Sequence, residues 1–525
     1  MNTNITSAPL SRKLPVGIQS FEKLRNEGFL YVDKTAFVYQ LAKAGIPCFL
    51  SRPRRFGKSL LLSTFEAYFL GKKELFRGLA IEQLEQDWFE YPVLHLSLNA
   101  EKYDSRERLA NMLESQLSLW EERYGITDIN ISYSIRFMTV IRRAYEQTGR
   151  RVVVLIDEYD KPLLRSFDNE ELQKEFRETL TAFYTVLKDA DPWLQFVFIT
   201  GVTKFAQMGI FSTLNQLNDI SLVPAYSALC GMTYTEIQEN FEPELNALAE
   251  ACEMTKEETM QQMTRLYDGY RFSYRSPERM YNPFSVLNAL NNQLFQSYWF
   301  ASGTPTFLVE MLKKTDFDLR KMDGIEVAEA SLSDDRANIN NPIPMIYQSG
   351  YLTIKDYDKE FHIYKLGFPN EEVKYGFLNF AASFYTCMSE NDTPFYIGHF
   401  VRELRNGDAE AFLTRLRAFF ADFPYELNTK TERHYQVVFY LVFKLMGQFI
   451  QSEVQSAIGR ADAVVKTRDC IYVFEFKLDG TAEEALRQID EKGYLIPYIA
   501  DGRRLVKVGV SFDAANRNLG KWLIV

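Results

Sequence analysis

Glu453, Asp462, Glu475 and Lys477 lie close together near the end of the chain, and their types suit one chemistry. Carboxylates are hard oxygen ligands for Mg²⁺ or Mn²⁺, and such an ion lowers the pKa of bound water and neutralises charge building on a phosphorane. A lysine beside the ion can position or deprotonate the water, or stabilise the transition state. The set is read as a phosphodiester-cleaving site, with Glu453, Asp462 and Glu475 as metal ligands and Lys477 acting on water or phosphate. Strand register decides whether these groups meet. Ala461 to Thr467 and Cys470 to Leu478 are β-branched and aromatic, and Arg468-Asp469 between them reads as a two-residue hairpin turn. About that turn Asp462 falls directly opposite Glu475. Alternation then puts Lys477, Ile471 and Val473 on their face and turns Tyr472, Phe474 and Phe476 to the other. Glu453 is expected on a helix from Gln436 to Val454, completing the ligand sphere from outside the hairpin. The bland alternative is a set of solvated charges on an edge hairpin.

A second group of residues suits phosphate binding. The apolar run from Ile46 to Ser51 ends in Arg52-Pro-Arg54-Arg55-Phe56-Gly57-Lys58-Ser59, and a helical stretch from Leu60 to Leu70 follows at once. A strand, a turn and a helix N-terminus let backbone N–H groups and a lysine cradle phosphates. Arg52 stands where the pattern G-x-x-x-x-G-K-[ST] has its first glycine. Further on, Arg151-Val-Val-Val-Leu-Ile-Asp157-Glu158 reads as a buried parallel strand that delivers two acids to a crevice at its carboxyl end. Asp157 and Ser59 are candidate Mg²⁺ ligands, and Glu158 is the candidate for orienting the attacking water. Further strands at Val93 to Leu98 and Leu194 to Val202, with helices at Glu107 to Arg123, Tyr133 to Gln147 and Glu170 to Lys188, give the βαβ rhythm of a doubly wound sheet.

The C-terminal string Glu453-Val-Gln-Ser-Ala-Ile-Gly459-Arg460-Ala-Asp462, with Glu475-Phe-Lys477, Gln488 and Tyr494, resembles the PD-(D/E)XK nuclease domain that ends many bacterial AAA-ATPase-like proteins. The N-terminal half resembles the ATPase domain of the same family. The matching strings are Leu14-Pro-Val-Gly-Ile, Tyr31-Val-Asp33-Lys34-Thr35, Ser51 to Ser59, Leu155-Ile-Asp-Glu-Tyr-Asp-Lys-Pro162, Thr200-Gly-Val-Thr-Lys-Phe205 and Leu214 to Asp219. The resemblance implies that Arg52 is a family trait of the loop. It also implies that Gln488 belongs to the nuclease site, and that Thr200 senses the γ-phosphate, with Thr203 or Lys204 next by position. ATP with Mg²⁺ or Mn²⁺ is the implied cofactor set. Arg52, Arg54, Arg55, Phe56, Gly57, Lys58 and Ser59 are the candidate nucleotide-binding loop, though Arg54 and Arg55 could instead line a subunit interface of a homo-oligomer or form a solvated basic turn.

The fold class expected is α/β: an AAA-like P-loop domain at 1–235, a helical and winged-helix-like region at 236–370, a helical connector at 371–425 and a nuclease-like domain at 426–525. Within the middle region, Tyr267-Asp-Gly-Tyr-Arg-Phe and Tyr281-Asn-Pro-Phe-Ser mark turns before helices, and the run Ile346 to Ile354 leads into a hairpin with Phe361 to Leu366. At 525 residues the chain has room for about three or four domains of ~150 residues. A net charge of −10 argues against coating nucleic acid by bulk electrostatics, so nucleic-acid contact is expected to be local. The absence of long apolar windows and the polar start Met1-Asn-Thr-Asn predict a cytoplasmic protein without membrane contact. Singly scattered cysteines and histidines offer no zinc knuckle and fit a reducing compartment. The function implied is an ATPase that regulates or powers a metal-dependent nuclease. Its rival is a nucleotide-gated scaffold whose nuclease-like domain holds nucleic acid or a protein without cutting.

Overall fold

The computed structural model describes residues 12–127, 131–204, 216–302, 308, 311–312, 317–333, 342–386, 389, 392–421, 432–454, 462–477, 480–513 and 518–525, with the backbone alone at 330, 333, 384, 432–436 and 451–454. The chain divides into two compact units, Met1–Phe317 with Gly324–Val373, and Asp318–Asp323 with Lys374–Val525. Among the described residues no helix is long and apolar enough to cross a membrane.

The first unit is built on a parallel sheet of β1 (Cys48–Ser51), β2 (Val93–Ser97), β3 (Val152–Asp157), β4 (Leu194–Gly201) and β5 (Asn218–Asp219), in the order β2-β3-β4-β1-β5. The unbroken aliphatic run of β3 needs cover on both faces, and every residue of that strand is buried. Helix Lys58–Phe69 lies on one face, where Phe65 and Phe69 meet Phe196 and Phe198 of β4 at ring distances of 4.9 to 5.3 Å. Helices Arg106–Tyr124, Tyr133–Thr148 and Glu170–Asp189 pack on one another through Trp120, Phe137 and Phe183. Because β4 intervenes between β1 and β3, its carboxyl end sits between the loop after β1 and the acids after β3.

After the parallel sheet the chain turns helical. Helices Tyr234–Asn240, Glu242–Ala251, Lys256–Tyr267 and Pro283–Asn292 share a core that includes Leu245, Met263, Tyr267 and Leu290. Asn282 caps the last of these, its Oδ1 accepting from the N–H groups of Phe284 (3.0 Å) and Ser285 (3.2 Å). A small antiparallel sheet follows, β6 (Ile325–Ala328), β7 (Thr353–Asp358) and β8 (Ile363–Gly367), in the order β6-β8-β7. The run Ile346 to Ile354 does lead into this hairpin, opening in helix Ile343–Gln348 and turning at Gly350 (φ 91°) before β7 starts.

The second unit carries a mixed sheet of β9 (Gln451–Val454), β10 (Ala463–Lys466), β11 (Cys470–Lys477), β12 (Arg504–Asp513) and β13 (Asn518–Ile524), ordered β13-β12-β11-β10-β9. Only β11 and β12 run parallel, joined through helix Ala482–Glu491. The helix expected to reach Val454 stops at Met446. Gly447 donates back to Phe443 and Lys444 and closes the last turn, after which Gln451 to Val454 pair antiparallel with β10. Glu453 therefore belongs to a strand, opposite Val464, and not to a helix. Ladder pairing beyond the glycine outweighs the helical pattern before it.

Gly269, in the turn after helix Lys256–Tyr267, has φ +99°, and a Cβ there would lie 2.1 Å from the carbonyl oxygen of Pro369. Gly269→Ala should destabilise the first unit by about 3 kcal/mol or more, combining backbone strain with a clash against main chain. Gly78, at φ +78° with nothing within 4 Å of a built Cβ, is the control. Its alanine variant should lose only about 1 kcal/mol. Melting temperatures of the two variants, compared with the parent, check the difference.

Candidate active sites

In the first unit the chemistry gathers at the carboxyl ends of β1, β3 and β4. Gly57 takes a left-handed conformation (φ 89°), which lets the loop reverse into the first turn of helix Lys58–Phe69. Lys58 is 6% exposed, and its Nζ donates to the carbonyls of Arg52 (2.9 Å) and Pro53 (3.0 Å). Burial pushes its ammonium below the ordinary pKa, against the pull of Glu158, Asp157 and Asp160. Ser59 Oγ donates to Asp157 Oδ2 at 2.6 Å, and Thr200 Oγ1 donates to Asp157 Oδ1 at 2.7 Å. One carboxylate thus collects the loop hydroxyl and the β4 hydroxyl. Glu158 is in the left-handed region at φ 51°, with Lys161 Nζ 3.5 Å from its carboxylate. Lys161 also donates to the carbonyl of Asn99, just beyond β2, at 2.7 Å.

Arg54, Arg55, Phe56, Gly57, Lys58, Ser59 and Glu158 line one cleft of about 770 Å³. Lys161 and Arg165 add positive charge near the loop, while Ile18, Leu30, Val32, Met232, Phe241 and Leu287 supply apolar surface. A cleft with both cationic and apolar lining suits a ligand with a charged tail and a flat apolar body. Asp157 and Thr200 are not in the lining and reach the cleft through Ser59. Phe56 anchors the loop, its ring 4.7 Å from Tyr270 and 5.4 Å from Phe272.

Arg52 departs from the phosphate-binding role expected of it. Its side chain is 1% exposed and lies outside the cleft, with Nη1 donating to the carbonyls of Ser51 (2.9 Å) and Ser221 (2.8 Å) and Nη2 to that of Tyr226 (3.1 Å). The guanidinium stacks 4.0 Å over Phe272. Committed to main-chain acceptors, it braces the base of the loop.

Sequence reasoning passed over the residues that hold this geometry. Asp160 is buried and accepts from the N–H of Val202 (3.1 Å) and from both the N–H and Oγ1 of Thr203 (2.6 Å each). Of the other polar residues after β4, Thr203 is thus bound to Asp160, and Lys204 pairs with Asp219 at 2.8 Å. Tyr159 donates to the carbonyl of Thr203 (2.9 Å), and a Cβ on Gly201 would lie 2.5 Å from the Tyr159 ring. The signal was present in Asp157-Glu-Tyr-Asp160, where the first two residues serve the site and the next two hold the chain just after β4.

In the second unit, β10 and β11 pair with Ala463 opposite Phe474 and Val464 opposite Val473. One step further along this register puts Asp462 opposite Glu475, and the N–H of Phe476 donates to Asp462 Oδ2 at 2.8 Å. Ile471 and Val473 pack with Val464, Ile489 and Tyr494. Phe474 and Phe476 take the other face, against Phe412, Phe439 and Phe443. Lys477 Nζ lies 3.5 Å from Glu475. Gln488 ties the group together: its Nε2 donates to Glu475 Oε1 and, at 3.2 Å, to Tyr494 Oη, while its Oε1 accepts from Lys477. Gly509, the β12 partner of Glu475, makes this reach feasible, because a Cβ there would lie 2.5 Å from the carbonyl of Ala482 on the covering helix.

Glu475 is 3% exposed, and its Oε2 has no hydrogen-bond partner among the described residues. Burial, followed by the neighbouring Asp462, pushes its pKa up to about 7, and burial also raises that of Asp462. A buried carboxylate oxygen without a partner among the described residues, beside a second carboxylate, fits a divalent cation, which supplies the charge that the surroundings withhold. Among the described residues no cluster of three or more His, Cys, Asp or Glu forms a metal site, so the described donors are Asp462 and Glu475. The Glu453 side chain, Gly459 and Arg460 lie outside the described residues.

Residues 15–211 match the family described as "Predicted AAA-ATPase", and residues 430–522 match the PD-(D/E)XK nuclease superfamily. The chain is 35% identical over 519 residues to the "Uncharacterized protein in vnfD 5'region" of Azotobacter chroococcum mcd 1, a match covering 97% of this chain and 98% of that protein.

Gln488→Ala should leave both carboxylates in place yet weaken Mn²⁺ binding by about 10- to 100-fold, the usual effect of removing a group that orients metal ligands. Calorimetric titration of the parent and variant with Mn²⁺ checks this. Gly509→Ala should weaken binding in the same direction, by pushing helix Ala482–Glu491 off the sheet.

Proposed function

The chain belongs to the bacterial-type AAA-ATPase-like proteins that end in a PD-(D/E)XK nuclease-superfamily domain, and from that premise we propose that it binds and hydrolyses Mg-ATP to control a Mg²⁺- or Mn²⁺-dependent nuclease acting on DNA or RNA. One observation carries the reading: the groups that each chemistry needs are in mutual contact, Ser59 and Thr200 on Asp157 in the first unit, and Gln488 on Glu475 and Lys477 beside Asp462 in the second.

In the proposed nucleotide complex the base occupies the apolar lining of the cleft, and the phosphates meet Lys58 and the N–H groups that open helix Lys58–Phe69. Ser59 and Asp157 are the residues that would hold Mg²⁺. Glu158 orients the attacking water, and Thr200 fixes the carboxylate of Asp157 as charge shifts during hydrolysis. Arg54 and Arg55 add positive charge at the mouth, where a second copy of the chain could also meet them.

At the nuclease site Asp462 and Glu475, joined by Glu453, would hold the divalent ion, which when bound supplies an acidified water and shields the scissile phosphate. Lys477 stands where it can orient that water or stabilise the developing charge, and Gln488 keeps its ammonium directed. Local rather than bulk contact with nucleic acid is consistent with the net charge of −10. A reducing cytoplasmic setting suits the free thiols of Cys48, Cys230, Cys252 and Cys470.

Lys58→Ala should abolish ATP binding measured by calorimetry, whereas Glu158→Gln should keep the affinity and slow hydrolysis by roughly 100-fold or more. Asp462→Asn and Glu475→Gln should each lower cleavage of mixed DNA and RNA substrates in Mg²⁺ or Mn²⁺ by roughly 100-fold or more. If the parent protein, with and without ATP, binds nucleic acid but cuts none, the nuclease reading gives way to the scaffold.

A further inference from the structure

Trp299 lies outside the cleft lining, yet its two N–H groups serve parts of the first unit that are far apart in sequence. The indole Nε1 donates to the carbonyl of Arg54, inside the nucleotide loop, at 3.1 Å. The main-chain N–H donates to Glu372 Oε1 at 2.7 Å. Glu372 Oε2 accepts from Ser285 Oγ at 2.8 Å, so neither carboxylate oxygen lacks a donor. Both residues are enclosed, Trp299 at 5% and Glu372 at 2% exposure. A carboxylate removed from water in this way is costly to keep unless its donors are fixed. Its pKa is accordingly pushed up to about 7 by burial.

The loop is also held from outside at the preceding residue. A Cβ on Gly350 would lie 2.6 Å from Pro53 Cβ and 3.6 Å from the Trp299 ring, so Pro53, Gly350 and Trp299 are packed as closely as a glycine allows. Three successive carbonyls of the loop, those of Arg52, Pro53 and Arg54, thus accept from Lys58, Lys58 and Trp299. A phosphate competes for the Lys58 ammonium, and when Lys58 turns to it the first two carbonyls lose their donor. The third carbonyl is the one Trp299 holds. Glu372 stands in the first turn of helix Glu371–Tyr385, which belongs to the second unit from Lys374 onward.

The geometry points to Trp299 and Glu372 as positioning residues that form a relay, coupling the shape of the nucleotide loop to the head of the helix through which the chain passes into its second unit. The relay rests on the nucleotide reading proposed above. It requires no contact between the units, only that the loop and the helix head share one set of hydrogen bonds. Loop rearrangement around phosphate changes the constraint on Trp299, and the Trp299 N–H passes that change to Glu372.

Backbone hydrogen exchange of the full-length protein, with and without Mg²⁺ and the non-hydrolysable analogue adenosine 5'-(β,γ-imido)triphosphate, tests this. In the parent the analogue should slow exchange in the first turns of helix Glu371–Tyr385 by about tenfold. Trp299→Phe keeps a ring against Tyr351 but lacks the indole N–H. It should bind the analogue at most about tenfold more weakly, the cost of one hydrogen bond, and lose the slowing in the helix. Glu372→Gln exchanges the charged acceptor of the Trp299 N–H for a weaker neutral one, so it should fold yet show a reduced response; it carries the test if Trp299→Phe does not fold. Binding by the parent with no change in helix exchange would overturn the relay and leave the nucleotide reading standing, as would an undiminished response in the variants. Failure of the parent to bind the analogue would overturn both.

Discussion

A carboxylate taken out of water must find donors, and in the first unit the carboxylate of Asp157 finds one on each oxygen, Ser59 on one side and Thr200 on the other. Much of the architecture follows from that requirement. Ser59 is in the first turn of a helix that can begin only because Gly57 turns the chain at φ 89°. Thr200 reaches Asp157 only because β4 lies between β1 and β3, an order that also interleaves the aromatic rings of β4 with those of helix Lys58–Phe69. Tyr159 and Asp160 then pin the residues after Thr200, so that the β4 hydroxyl is held at the required position by its own continuation.

The second unit meets the same constraint differently. Glu475 receives Gln488 on one oxygen and nothing from the described residues on the other. Where Asp157 is saturated by hydroxyls that a metal ion could share, Glu475 is left with a raised proton affinity that a divalent ion would relieve. Gly509 is the packing device behind this contact, since it lets helix Ala482–Glu491 approach β12 closely enough for Gln488 to bridge Glu475 and Lys477. A glycine on one strand therefore sets the polarity of a carboxylate on the next.

How much of this could be read from the amino acids depended on whether the signal was local. The aliphatic run ending in Asp157 and the turn at Arg468-Asp469 are short-range patterns, and each implied its strand and register directly. Period-2 alternation was enough to separate Lys477 and Glu475 from Phe474 and Phe476. The helix running into Glu453 was misjudged, because apolar periodicity up to Met446 says nothing about the β10 edge that captures Gln451 to Val454. Arg52 was misread for the same reason: its partners, the carbonyls of Ser221 and Tyr226 and the ring of Phe272, are distant in sequence. Gly509 gave no warning either, since close approach is a property of neighbours that only the fold assembles.

Arg52 also explains how the loop can dispense with its first glycine. A glycine at that position normally frees the backbone to wrap phosphates, at the cost of a larger entropy loss on folding. Here the backbone is restrained from outside: Arg52 is tied to residues 221–226, Phe56 is seated between Tyr270 and Phe272, Pro53 is pressed against Gly350, and the Arg54 carbonyl is held by Trp299. All of these braces except Ser221 to Tyr226 come from the helical middle region. That region is thus part of the phosphate loop's construction, and a chain cut before residue 236 would keep the loop's sequence while losing what holds Phe56, Pro53 and Arg54 in place.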